Sequence, residues 1–505
     1  MMKRTYIDFK KTNMFSKKFN EFISKHQEKN YYPSYENILR VSDQIKFPDN
    51  KRKDLRNAIL EQYSEIELSE PVKKNIESLI DDNTFTVTTG HQLNIFSGPL
   101  YIIYKIISTI KLSENLNAKY PNRNFIPVYW MASEDHDFEE IKSFFSNGKK
   151  YNWDIKAKGA VGNIDPSSLK KLIDLIPDSL DVFDRAYTSS VSLSDAVRKY
   201  MNSLFETYGL VVIDPSSKVL KEKIHDLIAD DIFHNTISKV EKSSKEKSEV
   251  YVRKINFFYM NNGIRERIES SNNKYKVVGT DIEFTKSDLK KLIDSNPEYF
   301  SPNVITRCLY QQRIMPNVAY VGGPSEVLYW LTFRKFFERY NEIFPVIIPR
   351  DSVLIISSKS SSTIKKYGLD KEDVFNGKNY MERKALGLLN DKDKNFSSEI
   401  STIKDQFELI AEKYKLVDKT MSPHVLANSK KIEKMLSQVE KRFFKSQKDR
   451  NTVLVSKINS LNYSAFPEGV PQERKENILT FYSSTFIEDL HHLLDPMQLK
   501  FKIVE

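Results

Sequence analysis

The sequence has only one cysteine, Cys308, in 505 residues. A single cysteine excludes an internal disulfide and a cysteine-built metal site, and it fits a reducing cytoplasm. Long apolar runs are also missing. The most apolar stretch, 100–112, is interrupted by Lys105 and Lys111 and is far shorter than the roughly 20 residues of a membrane span. No apolar segment follows the basic residues within 1–8, so we expect no signal peptide, no membrane contact and a cytoplasmic location.

Charge of one sign is not in large excess either. Lys and Arg number 78 and Asp and Glu number 68, which gives a net charge of +10. So small an excess suits anionic metabolites or a polyanion without distinguishing them. With 40% hydrophobic and 29% charged residues, the composition is that of a globular protein, and the length predicts about two to four structural units.

The clearest positive pattern is a strand, a loop and a helix. Residues 84–89 are β-branched or aromatic, as in a strand, and the segment 90–92 breaks that pattern. Apolar residues at helical spacing follow Gly98-Pro99, and 124–132 is a second buried strand. Strand, helix and strand make a βαβ unit, which predicts an α/β fold with a parallel sheet. Further strands are predicted at 210–214, 317–321 and 345–349.

The last third of the chain has a different periodicity. Apolar residues recur in steps of three and four from Phe396 to Val417, and a second series that fits a heptad runs from Val425 to Val453, weakened by Ser446 and Arg450. This heptad pattern predicts two long antiparallel helices in a coiled-coil hairpin, with a turn at 418–423.

Polar stretches elsewhere predict two insertions in the core. The predicted division is 1–147, N-terminal helices and first half of the core; 148–208, first insertion; 209–244, return to the core; 245–300, second insertion; 301–390, second half of the core; 391–461, antiparallel coiled coil; and 462–505, a segment returning to the body.

Two clusters of polar residues follow the first two strands. In the first, Thr89-Gly90-His91-Gln92, a glycine permits close approach of a ligand, the loop suits an anion, and His91 can hydrogen-bond it or donate a proton. The second, Glu134-Asp135-His136-Asp137, could bind an amine, orient a base or hold a divalent cation. Ligands of open parallel sheets lie outside the carboxyl ends of the strands, where both clusters fall. The alternatives are a tight turn for the first and a solvated acidic turn for the second.

A third segment, 317–337, repeats the design of strand, Gly-Pro loop and helix. Gly322, Gly323 and Glu326 lie at its loop, and Arg307 could neutralise a carboxylate or a phosphate. The alternative for Glu326 is stabilisation of the helix dipole. Cys308 has apolar neighbours, which indicates inert packing.

These segments together resemble the cysteine-adding enzymes of bacillithiol biosynthesis, the BshC family. The resemblance rests on five segments in the family's order: TGHQLNIFSGPLYIIYK, PVYWMASEDHDFEEI, SPNVITRCLYQQRIMPNVAYVGGPSEVLYW, PVIIPRDS and FPEGVPQER. It implies a Rossmann-like core with two insertions of the connecting-peptide type and a C-terminal coiled coil used in homodimerisation. The implied reaction joins the carboxyl of cysteine to the amine of glucosaminyl-malate.

The resemblance also implies site roles. Carried over by motif, the catalytic candidates are His91, Asp135, His136 and Asp137. The substrate-binding candidates are Thr89, Gly90, Gln92, Glu134, Arg307, Gly322, Gly323 and Glu326. No metal site is predicted. ATP is the candidate activator of the carboxyl, although the lysine-rich second signature of class I aminoacyl-tRNA synthetases has no evident counterpart, since residues 434–437 fall within the predicted coiled coil.

Two other functions remain open. An RNA-associated relative of class I aminoacyl-tRNA synthetases would use the basic second helix of the hairpin as an RNA arm, and it predicts steeply salt-dependent RNA binding. A coiled-coil assembly protein with an inactive core predicts no small molecule in the cleft. We favour the ligase, because acids and histidines follow both strands, and we expect no nucleic-acid partner.

Overall fold

The computed structural model describes residues 3–25, 29–176, 180–271, 274–389, 397–418 and 420–505. They form two compact units. The first is built mainly from Phe15–Val353 and Glu473–Lys502, and the second from Arg4–Met14, Leu354–Gln472 and Ile503–Glu505. The finer division into seven segments stays a prediction, and its boundary at 390/391 lies outside the described residues.

A five-stranded parallel sheet forms the centre of the first unit. Its strands are β1 (Thr84–His91), β2 (Asn124–Met131), β3 (Val211–Ile213), β4 (Asn317–Gly322) and β5 (Val346–Pro349). Their order is β5-β4-β1-β2-β3, and every neighbouring pair is parallel. The predicted Rossmann-like parallel sheet is therefore confirmed. In the sheet, β2 lies on one side of β1 and β4 lies on the other side. The strand order therefore reverses between β1 and β4. A crevice outside the carboxyl ends of two such strands is where ligands bind in open α/β sheets.

Helices cover the sheet because its strands are apolar on both faces. β1 and β4 are buried along almost their whole length, which is the pattern of strands covered on both sides. α1 (Leu100–Lys119) follows β1, while α2 (Val304–Ile314) and α3 (Pro324–Thr332) flank β4 in the chain. Part of the core joins Leu112 and Leu116 of α1 to Phe85, Phe125 and Val318 of the sheet.

The remaining helices of the first unit surround this sheet. Four precede it: Lys17–Lys25, Tyr35–Gln44, Asp49–Gln62 and Glu70–Glu77. The others are Phe138–Ile141, Lys170–Ile173, Asp181–Thr188, Leu193–Phe205, Lys218–Glu222, His225–His234, Thr236–Ser243, Lys286–Ser295, Arg334–Arg339 and Phe486–Leu493. A two-stranded antiparallel hairpin, Ser143–Ser146 with Lys149–Asn152, follows the acidic cluster.

The second predicted insertion, 245–300, contains most of a five-stranded antiparallel sheet. Its strands, in spatial order, are Glu283–Thr285, Lys274–Val277, Ile264–Ser271, Phe257–Asn261 and Phe300–Pro302. Exposed and buried residues alternate along Lys274–Val277, as expected of a sheet with one solvated face.

The second unit contains the predicted coiled coil. Ser397–Val417 and Met421–Arg450 pack against each other, and Thr452–Ala465 follows as a separate helix. The hairpin is therefore confirmed, while Phe396 and Lys419 of the prediction lie outside the described residues. Two shorter helices, Ser358–Lys366 and Lys378–Ala385, precede it, and a three-stranded sheet of Arg4–Ile7, Phe501–Val504 and Val353–Ile355 belongs largely to this unit.

Among the described residues, no helix combines the length and the apolar character needed to cross a membrane.

Candidate active site

A cavity of about 690 Å³ opens at the carboxyl ends of β1, β2 and β4 in the first unit. This size is within the range of small-molecule sites. Eight of the twelve predicted site residues line it: Gly90, His91, Gln92, Glu134, Asp135, Arg307, Gly323 and Glu326. The reversal of strand order places the first and third predicted clusters side by side, because β1 pairs directly with β4.

The other four predicted residues are close in sequence but do not line the cavity. Thr89 is buried, and its hydroxyl donates to the Val321 carbonyl at 2.8 Å, which ties β1 to β4. Gly322 pairs with Pro349 inside the sheet. His136 and Asp137 are exposed, and Asp137 caps the short helix Phe138–Ile141 by accepting from the Glu140 N–H.

The Gly90-His91 segment belongs to the strand and not to the loop. β1 continues through His91, and the helix α1 starts only at Leu100, whose N–H donates to the Glu476 carbonyl. The amide of Leu100 is thus already engaged. The role of Gly90 is instead to let the backbone approach Arg307 closely. A Cβ at this position would lie 3.4 Å from Arg307 Nη1.

His91 is held neutral by its surroundings. Its Nδ1 accepts from the Gln92 N–H at 2.7 Å, so the ring proton is assigned to Nε2, which lies 2.9 Å from the Tyr101 hydroxyl. Burial, reinforced by the positive charge of Lys105, lowers the pKa of His91 to about 3. Both ring nitrogens are therefore engaged within the protein, and the imidazole carries no charge at neutral pH.

Lys105 is a site residue that the sequence did not reveal. This lysine of α1 is only 1% exposed, and its ammonium lies 2.7 Å from Glu326 Oε2 and donates to the Gly90 carbonyl. Glu326 also accepts from Tyr320 Oη at 2.9 Å and from the Gly323 N–H at 2.7 Å. Burial raises the pKa of Glu326, but Lys105 and these donors outweigh burial and lower it to about 2. The pair joins the two halves of the core behind the cavity.

Asp135 is the acid best placed to meet a ligand. Its Oδ2 accepts from Gln92 Nε2 at 2.7 Å, and its Oδ1 accepts from the His136 N–H at 2.7 Å. Burial raises the pKa of Asp135, but hydrogen bonds from His136 and Gln92 and the charge of Arg265 hold it well below its usual range. Asp135 is therefore a permanent carboxylate that lines the cavity.

Two cations support the acidic cluster from outside it. Glu134 forms an ion pair of 2.7 Å with Lys221, and both side chains are buried. Arg265, from the antiparallel sheet, places Nη1 2.6 Å from His136 Nδ1 and also bonds Ser301 and Pro302. Because a guanidinium only donates, His136 Nδ1 accepts in this contact.

Two further arginines line the cavity. Arg350 follows β5 and forms a bidentate ion pair with Glu473 at 2.8 and 3.1 Å. Arg474, the next residue of the short helix Gln472–Lys475, is exposed at the edge of the cavity. In the described part of the chain, no three His, Cys, Asp or Glu side chains are grouped as a metal site would require.

Comparison with known proteins gives the family. Residues 2–351 match the family description "Bacillithiol biosynthesis BshC, N-terminal Rossmann-like domain", and residues 353–505 match "Bacillithiol biosynthesis BshC, C-terminal coiled-coil domain". The chain belongs to the BshC family.

Curated BshC relatives match along the whole chain. Proteins described as "Putative cysteine ligase BshC" from Flavobacterium psychrophilum and Flavobacterium johnsoniae are 37% and 35% identical, each over 99% of both chains. A third from Christiangramia forsetii is 35% identical over 99% of this chain and 98% of its own. A tryptophanyl-tRNA synthetase structure from Encephalitozoon cuniculi aligns with 88% of this chain and 100% of its own at 10% identity, but its TM-score of 0.22 supports no conclusion.

In this member of the BshC family, the residues missed from the sequence are mostly basic. In the sequence, Lys105 interrupts an apolar stretch. That interruption could have indicated a buried ion pair, because a lysine on the buried face of a helix needs a partner. Arg350 and Arg474 lay in two segments that resembled the family, but their convergence depends on the fold.

Proposed function

We propose that this chain is a carbon–nitrogen ligase that joins the carboxyl of L-cysteine to the amine of glucosaminyl-malate in bacillithiol biosynthesis. The observation that carries the proposal is the match to cysteine-ligase relatives over 99% of the chain. The cavity supports it independently, because the Asp135 carboxylate and several guanidinium groups line the same space. Such a space suits a substrate that has both an amine and carboxylates.

The proposed role of Asp135 is to bind and orient the attacking amine. A carboxylate whose pKa is held well below its usual range is a weak base, so Asp135 is better suited to holding a positive charge than to removing a proton. Gln92 and the His136 amide fix its orientation. Holding the amine beside the activated carboxyl supplies the proximity on which such condensations depend.

The proposed roles of the other site residues follow from their contacts. Neutral His91 orients the Tyr101 hydroxyl, and Gly90 and Gly323 leave space for the substrate. Thr89, Gly322 and Glu326 hold the two strands and the loop after β4 in register. His136 and Asp137 stay in the proposal as the segment that positions Asp135.

ATP is the proposed activator of the cysteine carboxyl. An amide does not form spontaneously from a free carboxylate in water, and ATP, when bound, would supply a phosphoryl or adenylyl group that makes the carboxyl reactive. Four arginines line the cavity, and guanidinium groups suit phosphate oxygens. Product formation by the purified protein with no nucleotide present would contradict this part of the proposal.

The remaining parts of the proposal concern the setting of the reaction. The coiled coil is proposed to form a homodimer, the substrates to be cysteine and glucosaminyl-malate, and the location to be cytoplasmic. The test in cells is a thiol profile after deletion of the gene. We expect loss of bacillithiol and accumulation of glucosaminyl-malate, and an unchanged profile would refute the assignment.

A further inference from the structure

Arg350 has one donor that the described protein leaves unused. Its side chain is 4% exposed, and both terminal nitrogens bind Glu473. Its Nε is buried and has no hydrogen-bond partner among the described residues. An unsatisfied buried donor is destabilising, so its presence at the cavity indicates an acceptor supplied by a ligand.

This donor is next to the gap left by Gly323. A Cβ at Gly323 would lie 3.9 Å from Arg350 Nε. The Glu326 carboxylate, which is paired with Lys105, lies 3.4 Å from the same Cβ position and accepts from the Gly323 N–H at the start of α3. A ligand atom in this gap can therefore approach Arg350 Nε closely.

Arg307, unlike Arg350, has no carboxylate partner in the described part of the chain. Its Nη1 donates to Gln311 at 3.2 Å and its Nη2 to Cys308 Sγ at 3.6 Å. The guanidinium lies over the rings of Tyr320 and Trp330, at 5.6 and 5.8 Å from their centroids. These cation–π contacts stabilise the guanidinium, and a Cβ at Gly90 would lie 3.4 Å from Nη1, so Nη1 is next to the Gly90 backbone.

Tyr101 adds a neutral donor to the same cavity. Since His91 Nε2 carries the ring proton, the Tyr101 oxygen accepts from it, and the phenolic proton has no acceptor among the described residues. The Arg350 guanidinium lies over the Tyr101 ring, 5.3 Å from its centroid, and Arg474 lines the same cavity.

We propose that Tyr101, Arg307, Arg350 and Arg474 form an oxyanion subsite within the cavity. It takes either the carboxylates of the malate portion of the acceptor or a phosphate group of a nucleotide. Glu326 does not oppose an anion there, because Lys105 neutralises it. Of the other acids that line the cavity, Glu134 pairs with Lys221, Asp135 is proposed to bind the amine, and Glu140 is exposed. The subsite rests on the proposed function for the identity of its ligand but not for its chemistry.

The test measures binding of anions by the full chain, with isothermal titration calorimetry. L-Malate and ADP are titrated separately into the wild type and into the Arg307→Gln and Arg474→Gln variants, and melting temperatures check folding. Lys475→Gln is the matched control, because it removes one positive charge beside Arg474 from a residue that does not line the cavity.

The expected losses follow from the contacts. Arg307→Gln removes a charged hydrogen-bond donor and should lower the affinity for the anion about tenfold or more. Arg474 is exposed, so its loss should cost about two- to fivefold, and Lys475→Gln should change little. Loss confined to L-malate identifies the acceptor carboxylates, and loss confined to ADP identifies the phosphate. If Arg307→Gln folds poorly, the test is the comparison of anion affinity between Arg474→Gln and Lys475→Gln.

Two results would overturn the subsite: equal effects of Arg474→Gln and Lys475→Gln, or no binding of either anion to the wild type. Both are independent of turnover. A protein that binds these anions through Arg307 but forms no amide would contradict the proposed function and leave the subsite standing. A protein that forms the amide equally well after Arg307→Gln would contradict only the subsite.

Discussion

Replacing Asp135 with asparagine removes one charge from the cavity and changes little else. The amide oxygen can still accept from the His136 N–H, now 2.7 Å from Oδ1. The amide nitrogen would face Gln92 Nε2, which lies 2.7 Å from Oδ2, and rotation of the Gln92 amide would present its oxygen instead. We therefore expect the variant to fold, with a loss of stability of about 1 kcal/mol or less.

The catalytic loss should be much larger than the loss of stability. A hydrogen bond from an ammonium to a carboxylate contributes about 1.5–3 kcal/mol. Its loss corresponds to a fall of roughly 10- to 150-fold in kcat/KM for glucosaminyl-malate. The KM for cysteine should change little, because the proposed contact is with the amine.

The assay is product formation followed by mass spectrometry at saturating cysteine and ATP. Glu139→Gln is the matched control: it makes the same carboxylate-to-amide change in the same segment, at an exposed side chain that does not line the cavity. An Asp135→Asn value within twofold of the wild type would refute the role of Asp135. An equal loss in Glu139→Gln would show that the effect is general electrostatics.

Three further predictions concern stability and reactivity. Lys105→Met leaves Glu326 without its buried cation and should lower the free energy of unfolding, measured in urea, by about 3–5 kcal/mol. Lys111→Met is the control on the same helix. Its ion pair with Glu114 is more exposed to solvent, so its loss should lower the free energy of unfolding by less than about 1 kcal/mol. Equal losses would contradict the structural role of Lys105. The pKa of His91 is about 3 in the folded protein against 6.5 when unfolded, so the unfolded state binds more protons between those values and stability falls on acidification. His91→Gln should therefore reduce the slope of unfolding free energy against pH, between pH 3 and 6.5, by up to about 1.4 kcal/mol per pH unit. An unchanged slope would refute the burial of a neutral imidazole. Burial raises the pKa of the Cys308 thiol to about 12, so iodoacetamide should label it only after denaturation, and rapid labelling of the native protein would contradict this.

Much of the first unit could be predicted because its strands have a local signature. The β-branched run at 84–89 and the apolar run at 124–132 are strands in the structure, and their parallel pairing follows from the helix between them. The end of β1 was less predictable. Gly90 and His91 continue the strand because β2 and its register hold them, which local propensity does not reveal.

The candidate site could be predicted only in part, for a physical reason. Acids and histidines placed after strands were visible, because the carboxyl ends of neighbouring parallel strands meet at one edge. Partners distant in sequence were not. Arg350 pairs with Glu473 across 123 residues, and Lys105 pairs with Glu326 across 221. Such pairs exist only because burial forces each charge to find an opposite one, and the fold decides which.

The central claim is that this chain forms the amide between cysteine and glucosaminyl-malate. The most direct measurement incubates the purified full-length protein with both substrates, with and without ATP, and follows bacillithiol by mass spectrometry. The account predicts product that depends on both substrates and disappears in the absence of nucleotide. No product from folded protein with ATP and both substrates present would contradict the claim.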